Sequence, residues 1–593
     1  MRLRALLLLL AFLTAIAQAS PALAGCTIGK VAELPVTMRG LVPTVTAKIN
    51  GVEASFLFDS GASFSFLSPA GAARFGLAIR DVPNMFVTGV GGGRSNARAA
   101  TPRELIFGGY TYQRPDFLVG DKGFTPDTVG LIGASLVARV DVEYDLANGV
   151  IRLFHPDGCK DASLAYWAGD KPFSVIDIDE TNLSDARLRG SASVNGVKVR
   201  VMFDTGSPIS GLELRAAARA GVTPQTPGVT GGGVGAGATL HSYYQDWIGP
   251  FASFKIGDEE IRNTQLRFGD MQLDNIDMLV GADFFLSHRI YISRSQHKLY
   301  FTYNGGPVFN LGVAPRTVVA ASPAPITGSA PDIYSNAPTD APGFGRRAAA
   351  LAGRRDFAGA IADLTKAIAL DPISSDYVYR RAVARLENRQ AILAMADLDQ
   401  ALKLKPDDIS ALLVRSELRA AAKDVDGAKQ DLAAADRLVS KDPARRRGLA
   451  NAYQRVDMWG ESIAQLDQWI AANLKDDSLA QAFNARCMAR AMLGQDLDKA
   501  LADCDSALRL LPGEPTFLDS RGLVHLRRGE FDRGIADFEG VLRLEPNNAW
   551  ALYGRGWARL KIGRKDQGDA DIKAAIALRP HLVDEAKARG LTL

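Results

Sequence analysis

The stretch FLFDSG at residues 56–61 decides the fold of this chain, because it recurs as VMFDTG at residues 201–206. In both copies an apolar run ends in Asp-Ser/Thr-Gly, and the two aspartates, Asp59 and Asp204, lie 145 residues apart. Apolar residues directly before an aspartate place it at the end of a buried strand. Two copies of one lobe would therefore bring two carboxylates together.

The similarity between the two regions extends beyond these triplets. Asn-Gly-Val at residues 50–52 recurs at 195–197 with the same offset, and Leu-Ile-Gly at 131–133 returns as Leu-Val-Gly at 279–281. Matching segments in the same order on both sides of the aspartates indicate a duplicated domain rather than chance.

Length and charge bound the class of protein. The chain has 593 residues, which at roughly 100 to 200 residues per domain predicts three to five units. Its 69 basic and 66 acidic residues nearly balance, and the sequence contains no long run of either sign. This balance excludes binding surfaces for nucleic acid or a charged membrane, so the partners should be proteins or peptides.

Residues 1–25 have the organisation of a secretory signal peptide. Arg2 and Arg4 precede an apolar stretch from Ala5 to Ala17, and the small residues at 22–24 mark a cleavage site. The apolar stretch is too short to cross a membrane. We expect an exported protein, in the periplasm of a Gram-negative bacterium, with no transmembrane span in the mature chain.

The cysteines allow two interpretations of the mature N-terminus. LAGC at residues 23–26 matches a bacterial lipoprotein box, in which Cys26 would carry a lipid anchor on the outer membrane. Four cysteines in an exported chain also favour disulfides, and Cys26 could pair with Cys159 to clasp the ends of the first lobe. We favour the disulfide, since lipidation would leave Cys159 unpaired, and keep the lipid anchor as the alternative.

Composition divides the chain into a β-rich part and a helical part. Residues 26–165 and 166–305 are rich in Val, Ile, Phe, Thr and Tyr and are interrupted every 8 to 12 residues by turn sequences. This pattern predicts two small antiparallel β lobes. Residues 306–341 shift to Pro, Ala, Ser and Gly, which is typical of a semi-extended linker. From residue 342 to 593 the apolar pattern has a helical period.

The helical part carries a 34-residue repeat. Its clearest marks are the prolines at the ends of units, Pro372, Pro406, Pro512, Pro546 and Pro580. A small residue recurs near the start of the second helix, at Ala360, Ala394, Ala428, Ala500, Gly534 and Gly568. The pattern resembles the tetratricopeptide repeat (TPR) over seven units. The resemblance implies an α-solenoid whose concave face holds a peptide or a partner protein.

Arginines and aspartates form two columns in this array. The first helices hold Arg347, Arg381, Arg415, Arg486, Arg521 and Arg555, and the second helices hold Asp363, Asp397, Asp431, Asp503, Asp537 and Asp571. The fourth unit has Leu449 and Gln465 instead, so both members are lost together. We therefore interpret the columns as Arg–Asp pairs within units rather than as a site for acidic ligands. Cys487 and Cys504 face each other in the fifth unit and are interpreted as small core residues, with a disulfide as the alternative.

The residues that follow each aspartate suit a site of paired carboxylates. The hydroxyls of Ser60 and Thr205 can donate to backbone or across to the partner loop, which would fix both turns. Gly61 and Gly206 let the backbone come close and direct their N–H groups at the carboxylates.

This set of residues resembles the retropepsin-like aspartic proteases, in the bacterial single-chain form, over residues 30–305. The resemblance implies a multidomain protein with an all-β, two-lobed aspartic-protease half of the retropepsin/pepsin kind and an all-α TPR solenoid half. It implies that Asp59 and Asp204 are catalytic and that their Ser/Thr-Gly neighbours support them. Gly-rich hairpins at 86–94 and 229–237 would form flaps, with turn glycines at Gly89, Gly91, Gly92, Gly231, Gly232 and Gly233.

The chemistry follows from charge. Two carboxylates around a shared water cannot both ionise cheaply, so the pair should keep one proton, with one member activating the water and the other protonating the peptide carbonyl. We predict an exported aspartic endopeptidase whose TPR array recruits substrate or a partner protein. The alternative is a non-catalytic envelope scaffold in which both halves only bind peptides. No cofactor or metal is expected, because the six histidines show no ligand spacing.

Overall fold

The structure is a computed structural model that describes most of the chain. The described residues are 26–92, 94–120, 128–169, 171–181, 185–236, 243–309, 338–440, 443–474, 476 and 478–591. The predicted signal peptide and most of the predicted linker lie outside these ranges. Within them, no helix is long and apolar enough to cross a lipid bilayer.

The first lobe, which contains Asp59, is built almost entirely of strands. Its elements are β1 (Thr27–Pro35), β2 (Thr37–Arg39), β3 (Val42–Ile49), β4 (Val52–Asp59), β5 (Phe66–Leu67), α1 (Pro69–Arg74), β6 (Arg80–Thr88), β7 (Arg94–Ala100), β8 (Glu104–Phe107), β9 (Tyr110–Gln113), β10 (Phe117–Val119), β11 (Gly130–Gly133), β12 (Asp141–Asp145) and β13 (Val150–Asp157). Ten of these strands form one sheet, in the order β6-β7-β10-β5-β11-β4-β3-β8-β9 with β2 paired to β3.

The second lobe, which contains Asp204, repeats this plan. Its elements are β14 (Ser174–Asp177), β15 (Leu188–Val194), β16 (Val197–Phe203), β17 (Gly211–Glu213), α2 (Leu214–Arg219), β18 (Thr230–Ala236), β19 (Tyr243–Ile256), β20 (Glu259–Gly269), β21 (Met278–Val280), α3 (Ala282–Ser287), β22 (His288–Ser293) and β23 (Lys298–Tyr303). Seven strands form a sheet in the order β15-β16-β21-β17-β20-β19-β18, and a further pairing of β15 with β19 curls it on itself.

Equivalent hairpins carry the chain into each aspartate-bearing strand. Asn50-Gly51 joins β3 to β4, and Asn195-Gly196 joins β15 to β16. All four residues have positive φ, between 49° and 81°. Asn-Gly is the preferred sequence for such two-residue turns because Asn and Gly tolerate this conformation best. The repeated Asn-Gly-Val segments therefore set the register of the strands that end at Asp59 and Asp204.

A third sheet joins the two lobes. Its six strands lie in the order β1-β13-β12-β22-β23-β14, so each lobe contributes three, and β12 pairs with β22 at the centre. The prediction of two purely antiparallel lobes was wrong on this point and on one other. The strands β4 and β11 pair in parallel, as do β16 and β21. The parallel pairing places Gly133 beside Asp59, which the site requires.

The rest of the described chain is a succession of helices. They are α4 (Ala341–Gly353), α5 (Phe357–Leu370), α6 (Ser375–Glu387), α7 (Ala391–Leu404), α8 (Ile409–Ala421), α9 (Val425–Val439), α10 (Arg446–Arg455), α11 (Trp459–Ala472), α12 (Leu479–Leu493), α13 (Leu497–Leu510), α14 (Pro515–Arg527), α15 (Phe531–Leu544), α16 (Ala549–Lys561), α17 (Lys565–Leu578) and α18 (Leu582–Ala588). From α4 to α17 they pack as successive pairs. Side-chain N-caps start several of them, as where Asp356 and Asp424 accept backbone N–H bonds.

The first helix of the array is also part of the β-rich core. Ala350 of α4 is fully buried among the core residues of the lobes, and α4 packs against β2. Gly353 lies so close to the carbonyl of Gly40 that a Cβ would collide with it, and the Arg354 guanidinium donates to the carbonyl oxygen of Gly305. The helical array therefore joins the lobes through a packed interface as well as through the chain.

The Arg–Asp interpretation of the array is confirmed. Arg347 donates to both oxygens of Asp363, with Nη2 to Oδ1 at 2.7 Å, and the other five pairs have the same two-bond arrangement. In the fourth unit Gln465 bonds to Arg446 and Asp436 instead. The columns thus serve the cohesion of each unit.

Both cysteine pairs are disulfides. Cys26 is bonded to Cys159 across 133 residues, which clasps the ends of the first lobe. Cys487 is bonded to Cys504 across 17 residues and links α12 to α13. The interpretation of the second pair as unbonded core residues was therefore wrong, although both residues are fully buried. Facing positions on paired helices brought the two sulfurs within bonding distance.

Candidate active site

Two buried strands deliver the aspartates to the same place. β4 ends at Asp59 and β16 ends at Phe203, directly before Asp204. Phe58 and Phe203 are almost fully buried, and this burial fixes the level at which each strand gives way to its loop. Aromatic residues favour strands that are packed on a core, so the local sequence accounts for this placement.

The loops after the strands hold each other by reciprocal hydrogen bonds. The Ser60 N–H donates to Thr205 Oγ1 at 3.0 Å, and the Thr205 N–H donates to Ser60 Oγ at 3.0 Å. Thr205 Oγ1 donates to the Phe58 carbonyl at 2.7 Å, and Ser60 Oγ donates to the Phe203 carbonyl at 2.9 Å. Both hydroxyl side chains are buried, so these four bonds lock the two loops in a fixed relation.

Each carboxylate is held by its own loop. Asp59 Oδ1 accepts from the Gly61 N–H at 2.8 Å and from the next backbone N–H at 2.9 Å. Asp204 Oδ1 accepts from the Gly206 N–H at 2.8 Å and from the next N–H at 3.1 Å. In both loops Oδ1 is engaged in this way. The two carboxyl groups are therefore presented in matching orientations.

The glycines of the triplets allow the carboxyl groups to approach each other. A Cβ built on Gly61 would collide with the carboxyl group of Asp204, and one built on Gly206 would collide with that of Asp59. Each carboxyl group thus lies directly against the opposite loop. Glycine is required at both positions because no side chain fits between the two acids.

Burial and mutual repulsion disfavour the doubly ionised pair. Desolvation raises the pKa of Asp59 well above its usual value, and the neighbouring Asp204 carboxylate raises that pKa further. Desolvation also raises the pKa of Asp204, while hydrogen bonds from Asp59 and from backbone N–H groups lower it. The arrangement favours one shared proton, because two adjacent carboxylates in a buried site cannot both ionise cheaply.

A second segment supports each loop from below. Gly133 donates its N–H to Ser65 Oγ at 3.0 Å, and Gly281 donates its N–H to Ser210 Oγ at 2.9 Å. A Cβ on either glycine would collide with the backbone of the adjoining loop. The repeated apolar-apolar-Gly segments therefore pass close under the aspartate loops.

Comparisons with known proteins agree with this geometry. The sequence profile of the aspartyl protease family matches residues 45–136 and 190–284, which include both aspartate loops. The tetratricopeptide repeat profile matches residues 346–409 and 520–581. The chain joins an aspartyl-protease-like region to a TPR array. No curated protein matches it closely enough to count as a relative.

Solved structures that resemble the chain include TPR proteins. One from Parabacteroides merdae is 16% identical with a TM-score of 0.35, covering 42% of this chain and 97% of its own. The C-terminal part of a TPR repeat-containing protein from Cytophaga hutchinsonii is 18% identical with a TM-score of 0.30, covering 41% of this chain and 98% of its own.

The first predicted flap lies over the second lobe. Gly89, Gly91 and Gly92 follow β6, and the Gly91 N–H donates to the Met271 carbonyl at 2.6 Å. Gly92 lies so close to the Gln272 side chain that a Cβ there would collide with it. The hairpin of the first lobe thus reaches the loop before β21 of the second lobe.

The second predicted flap differs from the expectation in detail. Gly231, Gly232 and Gly233 were expected in a turn, but they lie in strand β18, which pairs with β19. The register shifts between Gly231 and Gly233, as is common where glycine interrupts a strand. Gly232 also has the Asp246 carboxylate where a side chain would stand. The turn itself, at 237–242, lies outside the described residues.

Sequence reasoning missed three residues that support the site. Ser65 and Ser210 accept the glycine N–H bonds described above, and they share the offset of 145 residues, so the repeat could have revealed them. Asp283, which is almost fully buried, accepts from both the N–H and the hydroxyl of Ser210. The first lobe has Ser135 at the equivalent position, so no repeated pattern pointed to this acid.

Proposed function

We propose that the protein is an aspartic-type endopeptidase in which Asp59 and Asp204 form the catalytic pair. The observation that carries the proposal is the reciprocal arrangement of the two loops, in which each carboxyl group lies against the glycine of the other. Two aspartates on equivalent loops of a duplicated fold, both buried and both with raised pKa, suit general acid–base catalysis.

The proposed reaction uses a water molecule between the two carboxyl groups. The ionised member accepts a proton from this water as it attacks the peptide carbonyl carbon. The protonated member donates its proton to the carbonyl oxygen, and the nitrogen is protonated as the tetrahedral species collapses. No covalent intermediate with the protein forms. Positioned acid–base groups of this kind contribute roughly 10² to 10⁴ in rate.

An apolar cluster beside the pair suits an apolar substrate side chain. Met202 precedes Asp204 by two residues, pairs with Leu279 in the sheet, and packs with Met271, Leu273 and Ile276. Val90 at the tip of the first flap packs against this cluster. We infer that a substrate residue next to the cleaved bond replaces Val90 there, so the enzyme prefers apolar residues at that position.

Export is part of the proposal. Residues 1–25 would be removed as a signal peptide, and two disulfides in the described chain suit an oxidising compartment such as the periplasm. A Cys26 sulfur bonded to Cys159 cannot also carry a thioether-linked lipid, which favours a protein without a lipid anchor. We propose lobes at residues 26–165 and 166–305, a linker to 341 and a TPR array from 342 to 593.

Replacement of one aspartate tests the proposal. The Asp59→Asn and Asp204→Asn chains should each lose hydrolysis of an unfolded protein by at least about 10²-fold, measured between pH 3 and 8. A pepstatin-type analogue of the tetrahedral species should inhibit the parent chain. Asp185→Asn, outside the pair, is the control. Full activity in either pair variant, or no cleavage by the parent at any pH, would instead favour the non-catalytic scaffold.

The TPR array is proposed to recruit substrate or a partner protein. A chain that ends after Leu370 keeps α4, which the β core needs, and loses most of the array. It should cleave short peptides at the parent rate and cleave a recruited native protein more slowly. Hydrogen exchange of residues 26–305 is the control for intact lobes. Equal loss of both activities with intact lobes would contradict a recruiting role.

A further inference from the structure

The last helix leaves the stack of the TPR array. Arg589 follows Arg555 by 34 residues and so continues the arginine column, but α18 ends at Ala588. The Arg589 guanidinium carbon lies 3.9 Å from the centre of the Trp550 ring on α16. Arg527 Nη2, at the end of α14, donates to the Arg589 carbonyl at 2.8 Å. Residues 582–591 therefore turn back across the first helices of the two preceding units.

These first helices form the inner surface of the array. The contacts between successive units join α8, α10, α12, α14 and α16, which are first helices. Within the described chain, the second helices of successive units make no comparable contacts with one another. The first helices are therefore closer together and line the concave side, on which repeat proteins of this kind bind their partners. Residues 582–591 lie on this concave side.

The concave surface under the segment contains polar atoms that have no partner. Asn484, Asp519 and Tyr553 occupy equivalent positions on α12, α14 and α16, each two residues before the column arginine. Asn484 Oδ1, Asp519 Oδ1, Tyr553 Oη and Trp550 Nε1 are all buried and lack a hydrogen-bond partner among the described residues. A buried polar atom without a partner costs roughly 1 to 3 kcal/mol. Such atoms in one row point to a ligand that would satisfy them.

The charges of this surface fit a cation. Arg589 lies near Asp519 and lowers its pKa, while burial and the nearby Glu545 raise that pKa to a net value of about 7. Trp550 stacks on Tyr553 with ring centres 6.2 Å apart, so one aromatic face supports the guanidinium. An acidic residue and an aromatic face are the usual partners of arginine or lysine. Leu591, beside Arg589, is almost fully buried in the apolar core of the last units.

We propose that the concave surface formed by α12, α14 and α16 binds a peptide segment with an arginine or lysine close to an apolar residue, and that residues 582–591 occupy this surface until such a segment displaces them. The cation lies between Asp519 and Trp550, and the apolar residue takes the place of Leu591. The inference names the class of partner for the proposed recruiting role of the array. It does not depend on catalysis by Asp59 and Asp204.

A binding experiment on the full chain tests this. The probe is a fluorescent peptide with the sequence of residues 582–591, LVDEAKARGL, and the protein carries Asp59→Asn so that cleavage cannot interfere. In the parent, the tethered segment competes at high effective concentration, so the probe should bind weakly. Arg589→Glu places a like charge beside Asp519 and releases the segment. The probe should then bind at least about tenfold more tightly in fluorescence anisotropy.

Two variants control for charge and for folding. Lys587→Glu changes an exposed residue of α18 by the same charge and should leave the affinity for the probe as in the parent. Asp519→Lys combined with Arg589→Glu restores opposite charges, so the tethered segment should return and exclude the probe. Hydrogen exchange at residues 582–591 should be fast only in Arg589→Glu. Equal probe affinity in Arg589→Glu and Lys587→Glu, or no binding to any variant, would overturn the proposal.

Discussion

The β-rich half and the helical array are both built by repetition, but they use their copies differently. In the lobes the polar contacts lie between copies, since Ser60 and Thr205 exchange hydrogen bonds across 145 residues. In the array they lie within copies, as between Arg347 and Asp363, which are 16 residues apart. The fourth unit lacks such a pair and still packs. Contacts between copies concentrate stability on a few residues, and contacts within copies distribute it.

The two disulfides should give the largest difference between the halves. The chain-entropy relation for loops of 133 and 17 residues gives about 5 kcal/mol for the bond between Cys26 and Cys159 and about 3 kcal/mol for that between Cys487 and Cys504. Replacement of each pair by alanine should destabilise the chain in this order. The free energy of unfolding in guanidinium chloride measures both losses.

Hydrogen exchange can locate each of these losses. Without the first disulfide, exchange should accelerate in both lobes, because the six-stranded sheet links them. Without the second, faster exchange should be confined to units near α12 and α13. Faster exchange throughout the array in the second variant would show that its units are not independent, against the comparison drawn above.

The hydroxyl contacts between the loops should give the next largest effect. Thr205→Val keeps the shape of the side chain but leaves the Ser60 N–H and the Phe58 carbonyl buried without partners, at a cost of roughly 4 kcal/mol. Hydrolysis should fall with it, because the loops position both acids. Thr44→Val is the matched control. Thr44 is also buried and donates to the Thr37 carbonyl within one lobe, so its loss should cost only about 1 kcal/mol.

The array should tolerate loss of a whole pair better than loss of half. Arg415→Leu leaves the buried Asp431 with Arg419 as its remaining partner, at a cost of roughly 3 kcal/mol. Arg415→Leu with Asp431→Gln reproduces the residues of the fourth unit and should cost less than the single change. A double-mutant cycle on unfolding free energies measures the coupling. If the double variant is the less stable one, the fourth unit is not a valid guide.

Local and repeated patterns carried most of what the sequence predicted. The Asp-Ser/Thr-Gly triplets predicted the loops, and the columns predicted the Arg–Asp pairs, because each follows from spacing along the chain. The contact of Gly91 with Met271 joins two segments that share no pattern. Arg589 is the clearest failure of spacing, since it continues the column but binds Trp550 rather than an aspartate. The chain's path after α17 is set by packing at the end of the stack, where no next unit exists among the described residues.

The site itself could be predicted only in its central part. Asp59, Asp204 and their glycines were readable because they occur twice. Asp283 occurs once, and its role depends on a loop that passes 73 residues earlier in the chain. The closeness of α4 to Gly40 is likewise a tertiary contact with no local signature. Residues that occur once need coordinates before a role can be assigned.

The smallest expected effect concerns the titration of the paired acids. Asp59 has a pKa raised above its usual 3.8 by desolvation and by Asp204, so the folded chain keeps a proton that the unfolded chain has released. Because the folded state then binds more protons, stability falls as pH rises from about 3.8 through the raised pKa. Asp59→Asn cannot ionise and escapes this loss. Its melting temperature should exceed that of the parent at pH 7, and the two should converge below pH 4.

Asp185 provides the opposite sign within the same chain. Hydrogen bonds from Arg187 and Arg189 hold its pKa below the usual value. Its contribution to stability is present above about pH 3.8 and disappears as the pH falls through the lowered pKa. Asp185→Asn should therefore melt below the parent at pH 7 and approach it in acid. Parallel pH profiles for the two asparagine variants would mean that Asp204 does not perturb Asp59, and that the copies do not meet at a shared proton.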